Sequence, residues 1–136
     1  MRELYIGIDA GVKTGVAIWN RNKQRLTMVD TLTISVAMLL VMELAKSNEV
    51  VVYLEDARLR TWFGHSGREK LQGAGSVKRD CSIWETFCKE QQIEIRFVAP
   101  KNNYTKLNAE QFRRLTGWQG RSSEHGRDAA MMVYGI

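Results

Sequence analysis

Residues 49–56 read EVVVYLED, a continuous apolar run rich in β-branched residues that ends in two acidic residues. A strand of this kind is typically buried on both faces of its sheet, and so requires helices on both sides. Three further β-rich segments precede it closely enough for an antiparallel meander: LYIGIDA, GVAIWNRN and RLTMVDTLT.

The remaining segments complete an alternating α/β order. ISVAMLLVMELAKS separates the meander from the apolar run with helical periodicity, and IEIRFVAP is a last strand. Three more helices are predicted in SVKRDCSIWETFCKEQ, NAEQFRRLTG and EHGRDAAMMVYGI. This order predicts a mixed five-stranded sheet, in which the meander joins parallel strands and helices flank both faces, as a three-layer α/β fold.

Bulk properties limit the class of protein. The 136 residues suit a single domain spanning 1–136, and the net charge of +5 permits a polyanionic partner without requiring one. No run approaches the roughly 20 apolar residues of a membrane span, and no signal peptide is evident, so a cytoplasmic protein is expected. Cys81 and Cys88 stand two helical turns apart, roughly 10 Å, which predicts reduced thiols.

Four residues are candidate metal ligands and catalytic residues. Asp9 ends the first strand, Glu55 ends the fourth, and His125 and Asp128 lie three apart on the last helix. If the first and fourth strands are parallel neighbours, their carboxylates meet at one sheet edge, where crowding would raise their pKa values unless a cation is bound. Carboxylates with an imidazole suit Mg²⁺ or Mn²⁺, and two such ions could clamp a phosphodiester.

Each of these residues also has a simpler interpretation. A strand-end Asp9 can cap a turn, and Glu55 can pair with Arg58 at the surface. His125 can cap a helix or lie in the core, and Asp128 can belong to a solvated helix face. Only the joint placement of the four favours a metal site.

Two glycines follow the first strand at Gly11 and Gly15. They allow the backbone to turn sharply and to pass close to the proposed metal site, where a Cβ would collide. Lys13 and Thr14 lie in the same turn and are candidate phosphate contacts.

Three segments carry a family resemblance: IGIDAGVKTGVAIW, VVYLEDAR and SEHGRDAAMMV. In order and spacing they resemble the active-site segments of RuvC-type Holliday junction resolvases, within the RNase H-like nuclease superfamily. Ala10 stands where that family has proline, and His125 stands where relatives have aspartate or histidine. The chain resembles a compact member of the family, of the phage type.

The resemblance implies an RNase H-like fold and a crossover junction endodeoxyribonuclease of DNA recombination and repair. It further implies a homodimer that binds four-way or branched DNA and hydrolyses two strands symmetrically with Mg²⁺ or Mn²⁺, two ions per active site. The metal-binding catalytic set would be Asp9, Glu55, His125 and Asp128. If the chain is phage-encoded, it would act in the host cytoplasm.

Further DNA contacts are expected from basic, polar and aromatic residues outside this set. Cations would follow phosphates, an aromatic side chain could enter an opened base step, and Ser76 would begin a helix whose amide groups bind phosphate. These candidates are Arg58, Arg60, Trp62, Phe63, Arg68, Lys70, Ser76, Lys101, Asn103 and Lys106.

The helix predicted from Ser76 is apolar over much of its circumference. Val77, Cys81, Trp84 and Cys88 recur at helical spacing. They are predicted to form a homodimer interface, with burial inside the monomer as the alternative.

Other functions remain open at this point. A YqgF-type RNA-processing nuclease would keep the fold and change the substrate, and a non-catalytic nucleic-acid-binding module would lack metal. A sugar kinase or actin-like ATPase would need two such domains, which 136 residues cannot supply.

Overall fold

The computed structural model describes residues 2–59, 68–100 and 106–136, and their side chains except those of Arg2 and residues 68–74. One five-stranded sheet forms the middle layer, in the spatial order β3-β2-β1-β4-β5. The first three strands pair antiparallel, and β1, β4 and β5 pair parallel. The strands are β1 (Arg2–Asp9), β2 (Lys13–Asn20), β3 (Arg25–Thr33), β4 (Asn48–Glu55) and β5 (Glu94–Val98). The predicted mixed sheet is confirmed.

Four helices and a short 3-10 turn, Ala57–Leu59, accompany the sheet. The helices are α1 (Ile34–Ala45), α2 (Arg68–Glu90), α3 (Ala109–Thr116) and α4 (Glu124–Val133). None of these helices, within the part of the chain that the structure describes, is long and apolar enough to cross a membrane.

Both faces of the sheet are buried, because alternate residues of each strand enter different cores. Ile6 and Ile8 of β1 pack with α1 and α2 on one face. Tyr5 faces the opposite side, where Phe112 of α3 and Ala129 of α4 complete a second core. The three-layer arrangement predicted from the apolar run is therefore confirmed.

Helix α2 differs from the prediction at its start. It begins at Arg68, so Ser76 lies inside the helix rather than at its N-cap. The segment REKLQ consists of residues with high helix propensity, which here outweighs the glycines that follow it. The predicted phosphate site at the Ser76 amide groups is therefore wrong, because those amides lie within the helix.

The apolar side chains of α2 lie mainly in the hydrophobic core of the chain itself. Cys81, Trp84 and Cys88 are all 0% exposed, and Val77 is half-buried. Fully buried side chains have no surface left for a partner, so Cys81, Trp84 and Cys88 do not fit the predicted dimer interface. Both cysteines are free, and burial raises the pKa of the Cys88 thiol to about 12.

Candidate metal site at the end of strand β1

The sheet places Asp9 and Glu55 side by side. Ile8 of β1 pairs with Leu54 of β4 in the parallel register, and the two acidic residues follow one position later as the last residues of their strands. The sequence analysis predicts that two strands bring acidic residues to one edge of the sheet, and the positions of these residues in the backbone confirm this.

Helix α4 packs directly against the backbone of β1 and β2. A Cβ built on Gly7 would lie 2.1 Å from the carbonyl oxygen of Ala129, and one built on Gly15 would lie 2.0 Å from that of His125. The prediction that a Cβ at Gly15 would collide near the site is confirmed. We call this contact the glycine seat of α4, formed by Gly7 and Gly15.

The start of α4 is fixed by polar contacts. Ser123 is the N-cap, its hydroxyl accepts a hydrogen bond from the Gly126 amide at 3.1 Å, and it bonds the Thr31 hydroxyl of β3 at 2.5 Å. Arg127 donates from Nε to the Leu107 carbonyl at 2.9 Å, which ties the preceding segment to the helix. The side chains of the first turn of α4 are therefore held in position over the sheet edge.

Asp9, His125 and Asp128 meet at this edge. Each offers a ligand atom, and these atoms all lie within 4.8 Å of one another. His125 Nδ1 lies 3.0 Å from Asp9 Oδ2, so the imidazole and the carboxylate share a hydrogen bond. Two residues three apart on α4 thus reach a residue more than a hundred positions earlier, as the sequence analysis predicts.

The electrostatics of the cluster favour an added cation. Burial, the largest influence, raises the pKa of Asp9 above its ordinary value, and the nearby charge of Asp128 acts in the same direction. The hydrogen bond from His125 opposes this rise. Two carboxylates and an imidazole form a donor set that suits Mg²⁺ or Mn²⁺, so the residues present fit a divalent ion.

Lys106 approaches the same cluster. Its Nζ lies 3.5 Å from Asp128 Oδ2 and 3.2 Å from Glu124 Oε1, and the hydrogen bond to Glu124 is the main reason that the pKa of Lys106 is raised. The sequence analysis assigned Lys106 to DNA and missed its contact with a candidate metal ligand. The signal was available only in three dimensions, because Lys106 and Asp128 are 22 positions apart.

Glu55 lies outside the cluster of three, among the residues that the structure describes. Its backbone carbonyl accepts a hydrogen bond from Cys81 of α2 at 3.6 Å between sulfur and oxygen. Its membership of the metal site stays a prediction that rests on its position beside Asp9.

Two predicted DNA contacts have other partners. Thr14 is fully buried, and its hydroxyl donates to the Gly11 carbonyl at 2.8 Å, which closes the turn after β1. Arg58 is engaged by Asp56 and Glu85 in ion pairs with 2.8 Å between nitrogen and oxygen. Burial of Thr14 contradicts its assignment to a phosphate. The assignment of Arg58 stays a prediction, although two carboxylates of the protein are its present partners.

The other predicted DNA contacts stay predictions. Lys13 is exposed at the start of β2. Ser76 is also exposed, so only its side chain, and not its amide group, stays a candidate contact. The predictions for Arg60, Trp62, Phe63, Lys101 and Asn103 lie outside the described residues, as do those for the side chains of Arg68 and Lys70.

A mixed sheet of this order, covered by helices on both faces and carrying an acidic cluster at the end of β1, is the RNase H-like fold. A solved structure with the same fold is T. thermophilus RuvC in complex with a Holliday junction substrate. The likeness has a TM-score of 0.59 and 17% sequence identity, and covers 93% of this chain and 87% of the RuvC chain. Neither a comparison with protein-family models nor one with curated proteins gives a match.

Proposed function

We propose that the protein is a metal-dependent endonuclease that resolves four-way or branched DNA junctions by paired phosphodiester hydrolysis, acting as a homodimer. The observation that carries the proposal is the convergence of Asp9, His125 and Asp128 within 4.8 Å, on a fold shared with a junction-bound nuclease. The net charge of +5 supports a polyanionic substrate.

Asp9, His125 and Asp128 would hold the metal, with Glu55 joining them from the adjacent strand. A bound Mg²⁺ or Mn²⁺ supplies Lewis acidity toward water and the phosphodiester. We further propose two ions per site, as the resemblance implies.

The protein's own groups have separate tasks in this site. The hydrogen bond between His125 Nδ1 and Asp9 Oδ2 orients both side chains and provides a route for a proton between them. Lys106 offsets negative charge at Asp128, and the exposed Lys13 would contact a phosphate. A phage-type origin and a cytoplasmic location remain part of the proposal.

A cleavage assay tests the function. Purified protein is incubated with a labelled four-way junction, a linear duplex or a structured RNA, in Mg²⁺, Mn²⁺ or EDTA. We expect cleavage of the junction with either metal and none in EDTA. Cleavage of RNA alone would favour the RNA-processing alternative, and binding without cleavage in every metal would favour the non-catalytic module.

A further inference from the structure

The turn that follows β4 is held by an ion-pair network. Arg58 donates to both oxygens of Asp56, from Nε to Oδ1 and from Nη2 to Oδ2, each at 2.8 Å. Its backbone amide donates to Asp56 Oδ1 at 2.9 Å. Asp56 is only 3% exposed, so its carboxylate depends on this guanidinium for compensation.

Helix α2 completes the network from the other side. Arg58 Nη1 donates to Glu85 Oε1 at 2.8 Å and to the Ser82 hydroxyl at 3.3 Å. The guanidinium also lies over the Phe97 ring of β5, 5.2 Å from the ring centroid. The planar fork of arginine meets two carboxylates and an aromatic face at once, an arrangement that lysine cannot reproduce.

Cys81 of α2 contacts the same turn. Its sulfur donates a hydrogen bond to the Glu55 carbonyl, with 3.6 Å between sulfur and oxygen. The Asp56 amide donates to the Val98 carbonyl at 2.8 Å. The backbone is therefore held at Glu55, Asp56 and Arg58, and the side chains of Asp56 and Arg58 are fixed as well. Glu55 is the residue of this turn beside Asp9.

We propose that Arg58 and Cys81 are positioning residues that hold Glu55 toward the metal site through α2. This inference rests on the proposed function, because it assigns a role to the shell behind a proposed ligand. Groups that orient metal ligands from behind change metal affinity by 10- to 100-fold when removed in other proteins.

The test measures binding of Mn²⁺ alone, by calorimetry, without DNA. Arg58→Lys keeps the charge and loses the fork, and we expect it to weaken Mn²⁺ binding about tenfold. Arg96→Lys is the matched control, because Arg96 also pairs with a carboxylate two residues earlier, Glu94, and lies over a ring, that of Tyr53. The Arg96→Lys variant should have an Mn²⁺ affinity within about twofold of that of the wild type.

A double variant shows whether Arg58 acts through Glu55. In a Glu55→Gln background, Arg58→Lys should cause no further loss of Mn²⁺ affinity, since the ligand it positions is already impaired. An equal tenfold loss in that background, or wild-type affinity in the single variant, would overturn the inference.

If Arg58→Lys does not fold, two cysteine variants test the same inference. Cys81→Ala and Cys88→Ala each remove a fully buried thiol from α2, but only Cys81 contacts the turn. We expect similar losses of melting temperature and a weaker Mn²⁺ affinity for Cys81→Ala alone. Equal Mn²⁺ affinities would refute the inference, whereas a wild-type protein that binds no Mn²⁺ would refute the proposed function with it.

Discussion

The glycine seat predicts that one methyl group at Gly15 disables the site. In Gly15→Ala the new Cβ would lie 2.0 Å from the His125 carbonyl oxygen and 2.4 Å from its carbon, whereas ordinary contacts begin at 3.4 Å. Helix and strand must therefore separate by about 1.4 Å. Both sides of the contact are backbone, so no side-chain rotation relieves it. We expect a cost near the upper end of overpacking, about 3 kcal/mol.

This separation affects function as well as stability. The hydrogen bond between His125 Nδ1 and Asp9 Oδ2 is 3.0 Å long, and a displacement of that size would break it. A misplacement of about 1 Å at a catalytic group can cost about 10²-fold in rate, so we expect junction cleavage to fall by that order. For a chain of this length, about 3 kcal/mol corresponds to a melting temperature roughly 10 °C lower.

Gly75→Ala is the matched control. A Cβ at Gly75 meets nothing within 4 Å, and this residue lies in the interior of α2. Alanine is favoured over glycine in a helix by about 0.5–1 kcal/mol, so the same substitution should raise the melting temperature and leave cleavage unchanged. Thermal denaturation and cleavage kinetics measure both variants. A Gly15→Ala protein with wild-type melting temperature and wild-type cleavage would refute the reasoning.

Three further predictions concern charged groups. Asp9→Asn should abolish cleavage of the junction but not binding to it. Burial raises the pKa of Asp9, so ionisation of its carboxyl group destabilises the fold as the pH rises through that pKa. In EDTA at pH 7 the variant should therefore have a melting temperature no lower than that of the wild type. Lys106→Gln should tighten Mn²⁺ binding by up to about fivefold in calorimetry, since it removes a competing cation from Asp128; unchanged or weaker binding would contradict this. The hydrogen bond from Arg58 lowers the pKa of Asp56 below its ordinary value, so the ion pair stabilises the fold above that ordinary value and loses this effect as the pH falls through the lowered pKa. In Asp56→Asn the melting temperature should therefore depend less on pH in this acidic range.

Strand ends and helix periodicity were sufficient to predict most of the site. The position of Asp9 at the end of a buried strand made it a candidate, and the three-residue spacing of His125 and Asp128 placed those two on one helix face. The sequence analysis stated the pairing of β1 with β4 as a condition, and the structure shows that the two strands are parallel neighbours. These features depend on local pattern and chain order, which a sequence records directly.

The partners of individual side chains could not be predicted in the same way. The sequence analysis considered a pair between Glu55 and Arg58, whereas the structure shows ion pairs of Arg58 with Asp56 and Glu85. Adjacent residues of an extended chain point to opposite sides, so a shift of one position decides which carboxylate meets α2. The start of α2 was missed for another reason, because helix propensity competed with glycine and sequence alone does not rank the two.

The glycine seat also has a consequence for how the protein can vary. At Gly7 and Gly15 the strand backbone lies directly against backbone carbonyl groups of α4, so these two contacts limit how closely the helix approaches the strands. Substitutions in the core on the opposite face of the sheet can therefore accumulate while these two contacts stay unchanged. The first turn of α4, which carries His125 and Asp128, would then keep its position over the strands while other residues change. This is compatible with a shared fold at 17% sequence identity.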